Sequence, residues 1–318
     1  MKAVFAIVLT ILLATPILAQ VPAGAADNAA LRYWNAFAQM SDATISDAQS
    51  RQLEAIANGA SAWDESAFGK LLDDNAAAVQ TMVRGTSLPY CAWGLDYRLG
   101  NDMPIPQIPR GRALARLNVL AAQRLASEGK SEEATSHLLA GIHFARDLSQ
   151  EMSLIGALTG KLALTSDLNA AMTMANAKKL SNSDREKLKQ AVHALPPDVF
   201  DWSSSIKYES SAIHSALIQL EQAGDPAKLL TEWKVDFSGW NGQLRPSVAE
   251  VRQYDLIMAD AARAFRLPPA QTDQQLSTIV AKINAMSPAF LALTPSLSRA
   301  NASRKEVEAL RKKFLQNM

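Results

Sequence analysis

Between Arg112 and Leu148, apolar side chains return every three or four residues: Leu114, Leu117, Ala121 and Leu125, then Ala134, Leu138, Ile142, Ala145 and Leu148. That step matches the ~3.6-residue turn of an α-helix. Arg116, Arg124 and Glu128 fall off the first stripe, and Glu132, Glu133 and Arg146 fall off the second. Each run is therefore an amphipathic helix with one face to bury, and Gly129-Lys130 between them folds the two into an antiparallel hairpin.

The same period recurs along the chain. It predicts helices over 26–40, 46–57 and 64–84, and after the hairpin over 152–177, 183–195, 199–222, 247–265, 272–286 and 303–314. Capping-box spacing marks four of the starts: Ser183 with Glu186, Ser247 with Glu250, Thr272 with Gln275, and Ser303 with Glu306. Gly156 and Gly160 lie one turn apart in the 152–177 stretch, and with Lys161 and Asp167 nearby they indicate close helix packing in a core rather than a seam in lipid. The expected fold class is all-α, built of antiparallel helical hairpins as a bundle or a short curved array.

Two stretches break the pattern. Residues 85–112 hold Pro89, Pro104, Pro106 and Pro109 among Tyr90, Trp93 and Tyr97, and read as one long irregular segment. Residues 233–246 lose periodicity, and Asn241-Gly242 is a turn signal. The organisation expected is an N-terminal helical segment over 20–84, the irregular segment over 85–112 and a main helical array over 113–318, with 20–318 able to form one unit.

The first 19 residues have the layout of a secretory signal peptide: Lys2, an apolar run from Ala3 to Leu13, and Pro16 before small residues. The apolar run is well short of the ~20 residues that span a hydrocarbon core, so no retained transmembrane segment is expected. Cleavage fits best after Ala19, with the Ala23-Gly24-Ala25 stretch as a second site. Lipidation needs a cysteine just after the leader, and the single cysteine is Cys91, so the chain is expected to be exported and not a lipoprotein. Cys91 has no intramolecular partner and reads as a small buried apolar group.

Charge is balanced. The whole chain has 32 basic and 31 acidic side chains, and loss of Lys2 with the leader leaves 31 of each. Recruitment of nucleic acid by a global field needs an excess of one sign, so nucleic acid is not an expected partner.

Ala122, Leu125, Gly129, Ala134, Leu138 and Gly141 occupy the small and large packing positions of a tetratricopeptide repeat, and the hairpin resembles a single copy. It departs from the family in lacking the aromatic positions and a closing proline, and no second copy follows at a fixed spacing; the likeness implies packing and no activity. Across residues 28–223 a wider set looks like a group of exported bacterial helical proteins: Asn28-Ala29-Ala30 with Tyr33 and Trp34, Cys91-Ala92-Trp93-Gly94-Leu95-Asp96-Tyr97, the stretch from Arg112 to Leu117, and Ala145-Arg146-Asp147-Leu148. That resemblance implies export and a helical fold, and transfers no chemistry.

Reactive constellations are weak. His137 and His143 are six residues apart and point about 120° from each other on a helix. Glu133 with His137, and His143 with Asp147, have the spacing of surface pairs, whereas a zinc site needs three or four converging ligands. No metal and no cofactor is expected. Ser204 and Lys207 match Ser-x-x-Lys without the companion elements of penicillin-binding enzymes. Asp198, Asp201 and Glu209 could supply paired carboxylates for glycoside chemistry, or serve a helix start.

Two places remain for a binding surface. In the first, Tyr90, Trp93, Asp96 and Tyr97 could line a groove while Arg110 and Arg112 hold an anion; the second has Trp233 and Trp240 at its centre. The expectation is a non-enzymatic binding or scaffolding protein of the cell envelope or exterior, with a protein or an extracellular polymer as partner. The alternative is a hydrolase acting on such a polymer with carboxylates converging in a helical cleft. Oligomeric state is left open.

Overall fold

The computed structural model describes residue 24, residues 26–41 and residues 46–318. The leader and both cleavage positions fall outside the described residues, so the structure does not bear on export. Among the described residues there are thirteen α-helices and no strand, and none of the helices is long and apolar enough to cross a membrane.

Three helices precede the irregular segment: α1 (Ala29–Gln39), α2 (Asp47–Ala57) and α3 (Glu65–Gly85). A short 3₁₀ turn (Tyr97–Asp102) interrupts that segment. The central layer follows as α4 (Gln107–Ser127), α5 (Ser131–Asp147) and α6 (Leu154–Asn176), each packed against the others. Then come α7 (Asn182–His193), α8 (Trp202–Gln222), α9 (Pro226–Glu232), α10 (Val248–Ala264), α11 (Pro269–Asn284), α12 (Pro288–Leu293) and α13 (Leu297–Asn317). α1 packs on α3; α2 and α3 lean on α4; α13 closes over α6, α7 and α11. α8 is held between α10, α6 and the 3₁₀ turn. One apolar cluster runs from Ala29 to Phe314 through all of these layers.

The α4–α5 hairpin forms as its period requires, with Gly129 in the left-handed region at the turn. α4 begins at Gln107, several residues before Arg112, because Pro106 and Pro109 sit in or beside the first turn, whose N–H groups have no intrahelical acceptor to lose. Arg110 and Arg112 are therefore helical residues. The turn between α5 and α6 is tight because α6 approaches closely: a side chain on Gly160 would overlap the Ala145 carbonyl oxygen.

The caps separate local signals from tertiary ones. Ser247 and Glu250 form their reciprocal box at α10. At α7 the cap is Ser181, whose backbone N–H is also held by the Ser131 hydroxyl at 2.9 Å, so Ser183 lies inside the first turn. α11 starts at Pro269, which leaves Thr272 buried with its hydroxyl on the Ala264 carbonyl at 3.0 Å. α13 starts after Ser296, and Ser303 lies well inside it. Matching residue types three apart is necessary for a box, but the direction from which the chain enters selects the cap.

The Cys91–Tyr97 stretch is a strap across the ends of α1 and α5. Asn28 accepts from the Ala30 N–H at the start of α1 and exchanges two 2.9 Å hydrogen bonds with the backbone of Ala92. Trp93 is buried against Tyr33, Trp34 and Phe37, and its indole N–H donates to the Asp147 carbonyl at 2.9 Å. Tyr33 is fully buried and its hydroxyl donates to the Asp147 carboxylate. Burial lifts the Asp147 carboxyl to about 6 although that hydrogen bond opposes the rise. Cys91 is buried in the same cluster, and desolvation raises its thiol far above the ordinary range, which leaves it unreactive.

Candidate functional site

Two clefts lie on either side of one helix, α8. The first, about 530 Å³, opens between the α5–α6 turn, the segment entering α8 and the end of α10. Arg146, Glu151, Asp198, Asp201, Tyr208 and Arg266 line it, with Trp202, Phe200 and Phe265 as a buried apolar floor. The second, also about 530 Å³ and more open, is lined by Tyr97, Arg98, Ser211, His214, Ser215 and Asp255. Between them Tyr97 and Tyr208 stack with ring centroids 4.9 Å apart at 24°. Tyr97 is fixed there because its hydroxyl donates to the Glu151 carbonyl at 2.9 Å, and Glu151 itself takes a positive φ of 51° to turn the chain.

The carboxylates have structural partners. Asp198 grips the buried Arg304 through both oxygens at 2.6 Å. Asp201 caps α8 by accepting from the Ser204 N–H at 2.9 Å. Glu209 reaches back to accept from the Leu154 N–H at 3.0 Å in the first turn of α6, and burial raises its carboxyl above the ordinary value. In the second cleft the two oxygens of Asp255 stand 3.0 and 3.1 Å from His214 Nδ1.

The cations are less occupied. Among the described residues, Arg146 Nε is buried without a hydrogen-bond partner, and the Arg266 guanidinium makes one hydrogen bond, from Nε to the Ser203 hydroxyl at 3.3 Å. The site therefore offers unpaired guanidinium donors, a stacked aromatic platform and hydroxyls along one wall. Those groups hold a polar ligand by multiple hydrogen bonds and ring contact.

The Asp198–Arg304 pair is testable by itself. Asp198→Ala leaves a guanidinium that is 5% exposed without its counter-charge. The expected cost is about 2–3 kcal/mol, below the ~3–5 kcal/mol of a fully enclosed pair because the Asp198 side chain is 40% exposed. Urea unfolding of the variant measures it.

The eight residues singled out by sequence do not form one surface. Tyr97 joins the α8 clefts. Trp93 is a buried anchor of the strap, and Tyr90 is exposed with its hydroxyl on the Gly24 carbonyl. Asp96 caps the 3₁₀ turn and pairs with Arg98, whose guanidinium holds its carboxyl down to about 2. Arg110 lies in the first turn of α4, and Arg112 faces a different cleft between α2, α4 and α6. Trp240 is buried, packed edge-on against Phe237, and Trp233 is half-buried with its indole nitrogen enclosed. Arg245 pins that loop by donating to the Ala223 carbonyl.

Sequence reasoning did not find Tyr208, Arg266, or the pair of His214 and Asp255. Their partners are distant in the chain, and nothing local marks them: Tyr208 looks like any helix-surface aromatic until Tyr97 is brought across it. Comparison with known proteins finds no matching family model, curated protein or solved structure.

Proposed function

We propose that this chain is an exported, non-enzymatic binding protein of the cell envelope or exterior, which holds an extended polar partner, a protein segment or an extracellular polymer, along α8. The observation that carries the reading is that two clefts meet at the Tyr97–Tyr208 stack on a single helix. From Asp201 to Ser215 that wall is roughly 21 Å long at ~1.5 Å per residue, longer than a small metabolite needs. Two features favour holding over cutting. Asp198, Asp201 and Glu209, the carboxylates with the best spacing for glycoside chemistry, are each tied to a structural partner. Ser211 and Ser215 donate their hydroxyls to the carbonyls one turn back, at 3.1 Å, which turns them away from His214.

The test is titration of residues 20–318 with soluble envelope polysaccharide and with peptide fragments of envelope proteins, followed by calorimetry and product analysis. Binding without turnover is expected, and Tyr208→Ala is expected to weaken it about tenfold, the ~1.4 kcal/mol scale of one aromatic contact. Chain cleavage that is lost in Tyr208→Ala would replace this reading with the hydrolase. Equal binding by wild type and variant would remove the α8 groove from consideration.

A further inference from the structure

A further opening on which helices converge lies away from α8. It is a cleft of about 360 Å³ between α2, α4 and α6, lined among others by Glu54, Asn58, Arg112, Arg116, Ser166 and Asn169. Arg112 and Arg116 are one turn apart on α4, the first exposed and the second half-buried, and both face the cleft. Neither guanidinium has an ion-pair or hydrogen-bond partner among the described residues, in contrast to Arg124 on the same helix, which pairs with Glu65, Asp73 and Glu128. Two like charges at this spacing destabilise a helix by a few tenths of a kcal/mol. Here that repulsion is left standing, with Glu54 as the one carboxylate in the lining.

The hydrogen-bonding inventory points the same way. The Thr165 hydroxyl donates to the Lys161 carbonyl at 2.8 Å, and the Ser166 hydroxyl donates to Asn58 Oδ1 at 3.0 Å. With its oxygen engaged, Asn58 keeps its amide N–H groups for the cleft, and the Asn169 side chain has no hydrogen-bond partner among the described residues. What remains is a concentration of donors: two guanidiniums and the amide N–H groups of two asparagines. A donor-rich, net positive cleft of this size is complementary to a small ligand made of acceptors.

We infer that the cleft between α2, α4 and α6 is a binding site for a small polyvalent oxyanion, held in forks by Arg112 and Arg116 with the amides of Asn58 and Asn169 completing its shell. Carboxylate and phosphate share the required chemistry, since each presents paired oxygens to a guanidinium. This site is independent of the α8 groove.

The experiment is isothermal calorimetry of residues 20–318 with inorganic phosphate and, separately, with citrate, against sodium chloride at matched ionic strength. Saturable binding of at least one probe is expected; phosphate alone identifies a phosphoryl ligand, and citrate alone a carboxylate. Arg112→Ala and Arg116→Ala should each weaken binding about tenfold, the scale of one charge-assisted pair, with partial recovery in Arg116→Lys. Glu54→Gln should tighten it severalfold by removing the opposing charge. Thermal unfolding checks that the variants fold, and relief of the Arg–Arg repulsion predicts melting no lower than wild type. Tyr208→Ala should leave oxyanion binding unchanged, so failure of the α8 reading and failure of this one are separable. Heats equal to those of chloride, an unaltered affinity in the Arg112→Ala/Arg116→Ala double variant, or weaker binding in Glu54→Gln would each overturn the assignment.

Discussion

Gly160→Ala is expected to destabilise the protein by about 2–3 kcal/mol, read as a lowered urea midpoint. The added methyl would overlap the Ala145 carbonyl oxygen on α5 and come within 3.0 Å of the Phe200 ring. A carbonyl oxygen within a helix cannot swing aside as a side chain can, so α5 and α6 must separate along their whole contact. Alanine is the better helix former by ~1 kcal/mol, and the measured loss is what remains after that gain. Gly224→Ala is the control: nothing lies within 4 Å of the position, and the change is expected to be neutral or slightly stabilising. Equal effects of the two substitutions would show that α6 does not approach α5 in this way.

The second large effect concerns pH. Asp167 is 1% exposed in α6, packed where Gly141 leaves room on α5, and neither of its oxygens has a hydrogen-bond partner among the described residues. Desolvation alone raises its carboxyl well above the ordinary value of 3.8. The sign follows from proton counting: above the unfolded value the unfolded chain has released this proton while the folded chain retains it, so folding takes a proton up. Stability therefore falls as pH rises, by about 1.4 kcal/mol per pH unit from this one group, until the folded value is passed. Asp147, lifted to about 6, adds a fall of the same sign between roughly pH 4 and 6.

Asp167→Asn keeps the shape and removes the ionisation. Its stability profile from pH 4.5 to 6.5 should fall less steeply than that of wild type, and the difference between the two profiles cancels every other titrating group. Parallel profiles would show that Asp167 is ionised or hydrogen-bonded in the folded protein.

Much of the helical layout is legible in the residues themselves. The hairpin from Leu114 to Leu148 needs only the period and Gly129 to be recognised, because amphipathicity is a property of ten or so consecutive residues. The short helices α9 and α12 escape the same reading: seven and six residues are too few to show a period. They form because Asp225 caps the first and Pro226 and Pro288 open them in helical φ. Near Trp93 the residue types are right but their role is not visible. An aromatic-rich segment reads equally as a groove or an anchor until Tyr33, Trp34 and Phe37 are packed against it.

Helical class and a balanced surface charge were determined by the sequence alone, since the first depends on local periodicity and the second on composition. Which polar groups are free was decided only by tertiary structure. Arg112 and Arg124 are alike as residues of one helix, yet one meets three carboxylates and the other a cleft. That difference comes from the helices folded against each face, through contacts between residues far apart in the chain, and no local pattern encodes it.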